Sequence, residues 1–268
     1  MSTSNRAKGS KGPLIWPLAL AVVGGLLLLS NFLLLGDFDL LNLSPLLLVI
    51  LGAVILLRGD LRPAEDARTF GITRGSLESA TLEINASDID VNISPLPQAN
   101  SERLIEGQYA HQSRPSLDVS SDTHAHLLMT RSQTPWLTFA DWDVALSREL
   151  PWQVLVSSSI GQVTADLSDV IVQNALISAG FADIHVSAPY EAFEAIYLHS
   201  VLGSVTVVAP PRGRVRVTIE GGRFFGVHVD TSRYQMIEDD VYITRAADAD
   251  APLVDIIVNG TFGDTYLT

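Results

Sequence analysis

The sequence predicts a mainly β protein, in which a parallel β-helix or solenoid with rungs of about 21 residues follows a two-helix transmembrane hairpin. Two observations lead to this prediction. One is a long apolar stretch near the N-terminus, and the other is an outline that recurs four times in the second half of the chain. The absence of any catalytic motif then directs the functional prediction towards binding.

Residues 14–57 consist of two apolar runs separated by a short acidic turn. The first run, residues 14–35, would span about 33 Å as a helix, which matches the hydrocarbon core of a bilayer. The second run covers residues 40–57. Both runs are too long and too evenly apolar for a cleaved signal peptide or an amphipathic core helix. We therefore expect two membrane spans.

Positive charges predict how these spans are oriented. Cationic residues flank the outer ends of both spans, whereas the turn between them carries only acids; the cations are Arg6, Lys8, Lys11, Arg58, Arg62, Arg68 and Arg74. The positive-inside rule therefore places residues 1–13 and the domain after the spans on the cytoplasmic side of the membrane. Asn31 is a polar group within the first span, and we expect it to contact a partner helix.

Four segments of the second half repeat one outline: an apolar start, a corner of small residues, and an alternating run. The alternating runs begin at spacings of 21, 21 and 22 residues, at Val163, Ile184, Val205 and Val227. This period predicts stacked β-rungs about 4.8 Å apart, with each apolar column facing inward. Two further columns are expected inside, namely Ile160, Phe181, Leu202, Phe224 and Leu155, Leu176, Tyr197, Ile219.

The repeat also defines the domain organisation. We expect a linker at residues 58–75 and the β-solenoid at residues 76–268. Residues 96–150 form a longer divergent section, and residues 233–255 an insertion or an irregular turn. An immunoglobulin-like sandwich also has many short strands, but it imposes no 21-residue register, so we rank it second.

Two stretches resemble known families. Residues 142–189 contain the pattern W-x-V-x-L…P-W…G…DLS, carried by Trp142, Val144, Leu146, Pro151, Trp152 and Asp166–Ser168. This stretch is similar to the β-solenoid of the LiaF C-terminal and toast-rack families. Residues 15–59 resemble the paired-helix membrane region of LiaI/LiaF-like proteins. The resemblance implies a bacterial membrane protein of envelope-stress signalling, a group whose characterised members restrain a sensor kinase.

Composition excludes several classes of partner and chemistry. Residues 59–268 carry 13 Lys and Arg against 28 Asp and Glu, a net charge of −15. Binding to nucleic acid requires a basic surface, so we expect no nucleic-acid partner. The chain has no cysteine, which excludes disulfides, thiol catalysis and zinc sites built on Cys.

No residues form a recognisable catalytic, cofactor or metal motif. His124 and His126 supply two potential metal ligands on one strand face, but no third ligand is indicated. His185 and His228 are expected in one outward column two rungs apart, about 9–10 Å, which is too far to share a metal. We therefore predict no catalytic residue, no cofactor and no metal, and a protein that is not an enzyme.

Two features outside the membrane spans are candidates for contact with a partner. Phe225 occupies a column that otherwise holds small residues, so it either projects as an aromatic anchor or packs inside after a one-residue slip of register. Arg212, Arg214 and Arg216 alternate outward along one strand. They form either a basic stripe towards a partner or the inner leaflet, or an ordinary charged outer face.

These observations predict a membrane-anchored, non-enzymatic regulatory or scaffold protein that acts by protein–protein contact. Its expected partners are membrane lipid and a membrane protein such as a sensor kinase. One alternative is a homo-oligomeric structural protein that assembles through the ends of the solenoid, because unpaired edge strands template further pairing. A surface adhesin is a second alternative if the topology is inverted.

Overall fold

The computed structural model describes residues 67–97, 102–110, 113–121, 123–131, 140–245, 247–248 and 250–268. These residues contain seventeen strands and no helix. None of the described residues belongs to a helix long and apolar enough to cross a membrane. The predicted spans at 14–35 and 40–57, Asn31 and the N-terminal segment 1–13 lie outside the described residues.

The first nine strands lie between Ala67 and Asp166. They are β1 (Ala67–Thr73), β2 (Ser79–Ser87), β3 (Asp90–Pro95), β4 (Arg103–Ala110), β5 (Pro115–Ser121), β6 (His124–Arg131), β7 (Asp141–Leu146), β8 (Trp152–Ser158) and β9 (Val163–Asp166). Eight more follow, namely β10 (Val172–Ala179), β11 (Ile184–Ser187), β12 (Ile196–Leu202), β13 (Val205–Val208), β14 (Arg214–Val229), β15 (Tyr234–Glu238), β16 (Val241–Thr244) and β17 (Leu253–Leu267).

Most strands belong to rungs of a stack. Each rung contributes one strand to each of two parallel sheets, and a corner joins the two strands. The first sheet contains β6, β2, β8, β10, β12 and the first halves of β17 and β14, in that spatial order. The second sheet contains β7, β3, β9, β11, β13 and the second halves of β17 and β14. The described chain is thus a mainly β, solenoid-like stack whose core lies between the two sheets.

The predicted register is confirmed in the middle of the stack. Val163 pairs with Ile184, and Ile184 pairs with Val205, and all three side chains are fully buried. Burial of one aliphatic side chain contributes about 1.5–3 kcal/mol, so the stability of a rung depends on the neighbours that cover it. The period of 21 residues follows directly from this stacking.

The order of the rungs at the C-terminal end differs from the order in sequence. Strand β17 inserts between β13 and β14, so Thr265 lies between Val205 and Val227 in the stack. The hydroxyl of Thr265 donates to the carbonyl of Val205 at 3.1 Å, which satisfies a polar group in a fully buried position. For the same reason His185 and His228 stand three rungs apart, about 14 Å, rather than two.

The N-terminal end is rearranged in a similar way. The rung formed by β2 and β3 lies between β8–β9 and β6–β7, and the divergent section 96–150 supplies β4 to β7. Trp142 on β7 is fully buried, and its indole N–H donates to the carbonyl of Ser113 at 2.7 Å. Trp152 likewise donates to the carbonyl of Ser147 at 2.9 Å. Both tryptophans of the diagnostic motif therefore belong to the core.

Antiparallel strands cover one end of the stack and part of the other. At one end β5 pairs with β6, while β4 pairs with β7 and β1 pairs with β4. At the other end the hairpin β15–β16 pairs with β14 at Arg216–Thr218. Strand β1 lies within residues 58–75, so the β domain begins earlier than residue 76. The segment expected as an insertion, residues 233–255, contains the capping hairpin.

Candidate functional site

The corner between the two sheets carries a row of exposed apolar side chains. Ile160, Phe181, Leu202, Phe262 and Phe224 occupy successive rungs, and we call this row the apolar ladder. Their exposed fractions lie between 45% and 69%. The prediction that four of them face inward is wrong. Monomeric proteins rarely expose such contiguous apolar surface without a function.

The backbone at the corner explains why these side chains point outward. A Cβ atom on Gly161 would lie 2.1 Å from the carbonyl oxygen of Ile89, and one on Gly203 would lie 2.3 Å from that of Ala182. The backbone segments of adjacent rungs therefore lie too close together to leave room for a side chain on the inner side of the turn. The large residue just before each tight position, such as Leu202, is directed to solvent.

Hydrogen bonds between rungs fix the register of the apolar ladder. The amide of Phe181 donates to the carbonyl of Ser159 at 2.7 Å, and that of Leu202 donates to the carbonyl of Gly180 at 2.9 Å. Phe262 pairs with both Leu202 and Phe224. Five rungs at the usual spacing give a ridge about 19 Å long.

Phe225 is packed, as the register-slip interpretation predicts. The pairing of β14 with β17 shifts between Gly221 and Phe224, and Phe225 is only 8% exposed. Its ring covers Gly260, where a Cβ atom would lie 2.2 Å from a ring carbon. The aromatic residue that projects from this rung is Phe224, which the sequence interpretation placed inside.

A second apolar surface lies on the outer face of the first sheet. Leu155, Leu176, Tyr197 and Ile257 are aligned across four adjacent strands. Leu176 and Tyr197 are about half exposed, and the other two are half-buried. Three members of the inward column expected here, Leu155, Leu176 and Tyr197, therefore face outward, and only Ile219 is buried.

The row ends in a cleft of about 260 Å³ beside the hairpin β15–β16. Ile257 belongs to both the row and the cleft, and we call the two together the contact face. The cleft is lined by Ala195, Arg216, Ile237, Glu238, Asp255 and Ile257, among others. It combines apolar walls with one ion pair, which is a usual composition for a binding site.

Arg216 is the predicted site residue that lies in the cleft. Its Nε and one Nη donate to the two carboxylate oxygens of Asp255 at 2.6 and 2.8 Å. The hydrogen bond and charge of Asp255 raise the pKa of Arg216. A bidentate pair of this kind neutralises both charges and fixes the planar group in one orientation.

The other two arginines of the proposed basic stripe lie elsewhere. Arg212 adopts a positive φ of 63° in the turn before β14, so it is not part of the strand. Arg214 is exposed at the start of β14. The expected alternation on one strand therefore holds for Arg214 and Arg216 alone.

The two histidines of the H-x-H pair hydrogen-bond to β2. His124 contacts the hydroxyls of Ser79 and Thr81 at 2.7 and 2.9 Å through its two ring nitrogens. Nε2 of His126 lies 3.3 Å from Oε2 of Glu83. Across the described part of the chain, no group of three or more His, Asp or Glu side chains is arranged to hold a metal ion.

Comparison with known proteins assigns the fold to a family. The family model described as "N-terminal domain of toast_rack, DUF2154" matches residues 63–206, more than half of the chain. The chain belongs to the toast-rack family. Strands β1 to β12 fall within this toast-rack match. No curated protein matches the chain in sequence.

Comparison with solved structures finds one that is similar in fold at low sequence identity. A candidate cell adhesion protein from Clostridium sporogenes ATCC 15579 is 15% identical, with a TM-score of 0.63 over 75% of this chain and 98% of that one. A candidate adhesin from Bacteroides fragilis NCTC 9343 is 9% identical, with a TM-score of 0.32 over 77% of this chain and 99% of that one. The similarity to the Clostridium sporogenes protein concerns the fold alone.

Proposed function

We propose that this toast-rack protein is a membrane-anchored, non-enzymatic regulatory or scaffold protein that binds another membrane protein. The observation that carries the proposal is the contact face, an apolar row that leads into a cleft. Leu176 and Tyr197 stand about half exposed at its centre. Interfaces between proteins commonly have such an apolar and aromatic centre with a polar rim.

The charges of the domain indicate the chemistry of the partner. Residues 59–268 have a net charge of −15, so a partner surface with basic residues around an apolar centre is complementary. Arg216 offers no unpaired charge at the cleft because Asp255 neutralises it. Glu238 also lines the cleft, so an apolar segment of the partner that enters it would need a basic residue beside that carboxylate.

The membrane anchor, the absence of catalysis and the biological setting are parts of the same proposal. The two apolar runs at 14–35 and 40–57 support the anchor, and the flanking cations support a cytoplasmic β domain. The lack of catalytic motifs supports a role in binding. The resemblance of residues 15–59 to LiaI/LiaF-like proteins supports envelope-stress signalling with a sensor kinase as the partner.

Site-specific photo-crosslinking in native membranes tests the contact face. A photoreactive residue replaces Leu176 or Tyr197 in the full chain, and Thr206, outward on the second sheet, serves as the matched control. We expect one membrane protein to crosslink at both test positions and not at Thr206. Equal crosslinking at Thr206 would reject the contact face as the binding surface.

The two alternative functions predict different products. Crosslinks only between copies of the chain would favour a self-assembling structural protein. The end covered by β5 and β4 counts against that alternative, whereas at the other end the hairpin β15–β16 pairs with only three of the sixteen residues of β14. Cleavage of the β domain by protease added to intact cells would instead favour a surface adhesin, since a cytoplasmic domain is protected.

A further inference from the structure

We propose that the apolar ladder faces the lipid bilayer and inserts at the boundary between headgroups and acyl chains. The proposal rests on the membrane anchor of the proposed function and adds a surface, an orientation and a lipid preference. It follows from three features: where the chain enters the β domain, the shape and chemistry of the ladder, and the charges beside it.

The chain enters the β domain at the same edge that carries the ladder. Strand β1 is antiparallel to β4, which is antiparallel to β7, so β1 runs in the same direction as the strands of the second sheet. Arg68 is aligned with Val163 through the pairs Arg68–Tyr109, Tyr109–Trp142, Trp142–Val91 and Val91–Val163. Ile160 lies three residues before Val163. The N-terminal end of β1 therefore lies along the same corner as the ladder, four strands from the rung of Ile160.

The connecting chain between the predicted membrane segment and this edge is short. Residues 58–66 separate the end of the second apolar run from Ala67. Nine residues reach about 30 Å at most when fully extended. A domain held by such a tether keeps its point of entry near the membrane surface, and that point of entry lies at the edge with the apolar side chains.

The ladder has the shape and composition of a membrane-inserting edge. It is a row of three phenylalanines, one leucine and one isoleucine, all exposed, rather than a pocket that would enclose a small ligand. The rings of Phe224 and Phe262 are stacked, with centroids 5.5 Å apart. Apolar faces of peripheral membrane elements insert about 5–10 Å into the headgroup and acyl boundary, a depth that side chains of this size can reach.

The charges beside the ladder predict which lipids it prefers. Carboxylates of Asp90 and Asp183 lie at the corners, where each accepts an amide N–H of another rung at 2.7 Å, from Gln162 and Ser204 respectively. Asp264 follows Phe262 closely in the same corner. The exposed cation Arg223 precedes Phe224, so the three acids outnumber one cation beside the ladder. This net negative charge repels anionic headgroups, so insertion is driven by apolar burial and is stronger in zwitterionic than in anionic bilayers.

Fluorescence of the full chain in proteoliposomes tests the proposal. The chain has no cysteine, so a single cysteine at Leu202 can carry an environment-sensitive dye, and Thr206→Cys on the outer face of the second sheet is the matched control. In phosphatidylcholine vesicles we expect a blue shift and strong quenching by lipid-borne quenchers at Leu202 only. Adding Phe181→Ser and Phe224→Ser should reduce that quenching several-fold, and phosphatidylglycerol should weaken it.

Each other outcome overturns the proposal. Water-like, unquenched dye at Leu202 would show that the ladder remains in solvent. A blue-shifted dye that lipid-borne quenchers do not reach would show that a protein or a second copy covers it. Flotation of the protein with vesicles after an alkaline wash distinguishes failure of the proposed membrane anchor from failure of the ladder proposal. Without a membrane anchor the protein does not float with the vesicles. If only the ladder proposal is wrong, flotation is unchanged.

Discussion

Phe224 and Phe262 stack with ring centroids 5.5 Å apart and an interplanar angle of 15°, although the whole β15–β16 hairpin lies between them in sequence. The return of β17 beside β14 brings the two rings together. The same pairing places Phe225 opposite Gly263 and turns its side chain into the core. Adjacent phenylalanines of one strand thus have opposite environments.

This difference predicts unequal effects of the two alanine substitutions on stability. Phe225→Ala should lower the free energy of unfolding by about 3 kcal/mol, because it empties a packed position over Gly260. Phe224→Ala should change it by less than about 1 kcal/mol, because the ring is mostly exposed. Urea unfolding of the full chain in detergent, followed by far-ultraviolet circular dichroism, measures both. Similar losses for the two variants would contradict the assigned orientations.

The corner geometry predicts that two glycines with positive φ tolerate alanine very differently. Gly203→Ala places a Cβ atom 2.3 Å from the carbonyl oxygen of Ala182, whereas a Cβ atom on Gly75 meets nothing within 4 Å. We expect Gly75→Ala to cost about 1 kcal/mol from backbone strain alone, and Gly203→Ala to cost clearly more. Thermal unfolding of the two variants side by side decides the matter. Equal melting temperatures would mean that the rungs at this corner are not closely stacked.

We expect replacement of Asp141 by a neutral residue to stabilise the fold in a pH-dependent way. Burial raises its pKa above the usual value, and the charges of Asp90 and Asp143 raise it further. A carboxyl whose pKa is higher in the folded state stabilises the fold when protonated, and this contribution is lost as the pH rises through the folded pKa. Asp141→Asn should therefore raise the urea midpoint at pH 7, and the gain should disappear below about pH 3.5.

The measurement for Asp141 is a series of urea titrations from pH 7 to pH 3 on the wild-type chain and the Asn variant. The two midpoints should converge as the wild-type carboxyl becomes protonated. A constant difference across the series, or a loss of stability at pH 7, would contradict the electrostatic assignment.

The contact face predicts a loss of binding without a loss of stability. Tyr197→Ser removes a half-exposed ring from the outer face of the first sheet, so it should leave the melting temperature within a few degrees of wild type. Crosslinking of a photoreactive residue at Leu176 to the membrane partner should fall strongly. Thr206→Ser is the control for the second sheet. An unchanged crosslink with Tyr197→Ser would show that this ring is not an anchor.

Part of the fold could be predicted because it depends on local pattern. Alternation with period two and a recurrence of 21 residues require that Val163, Ile184 and Val205 share one inward column, and they do. The tryptophans of the W-x-V-x-L…P-W motif are large and apolar, and they pack in the core. The turn at Asp166–Ser168 is also local, since the Asp166 carboxylate accepts from the amide and hydroxyl of Ser168.

The candidate surfaces were harder to predict. An apolar residue at a repeated position is usually buried, and this reasoning placed Phe181, Leu176 and Tyr197 inside the stack. The signal available in the sequence was the small-residue column beside the ladder, with Gly161 and Gly203, which indicates a corner too tight for side chains on its inner side. Arg216 was selected for its charge, whereas its position in the cleft depends on Asp255, which lies far away in the sequence.

The amino-acid sequence by itself determined that the chain forms stacked rungs of β-structure and where four alternating runs begin. It also determined that the domain is acidic and lacks cysteine. Only the tertiary structure decided the order of the rungs at both ends and the orientation of the corner residues. The physical reason is that rungs with the same inward pattern are interchangeable as neighbours. Long-range strand pairing therefore determines that β17, and not β14, is the neighbour of β13. The close approach of the backbones at the corner determines that Phe224 points outward and Phe225 inward.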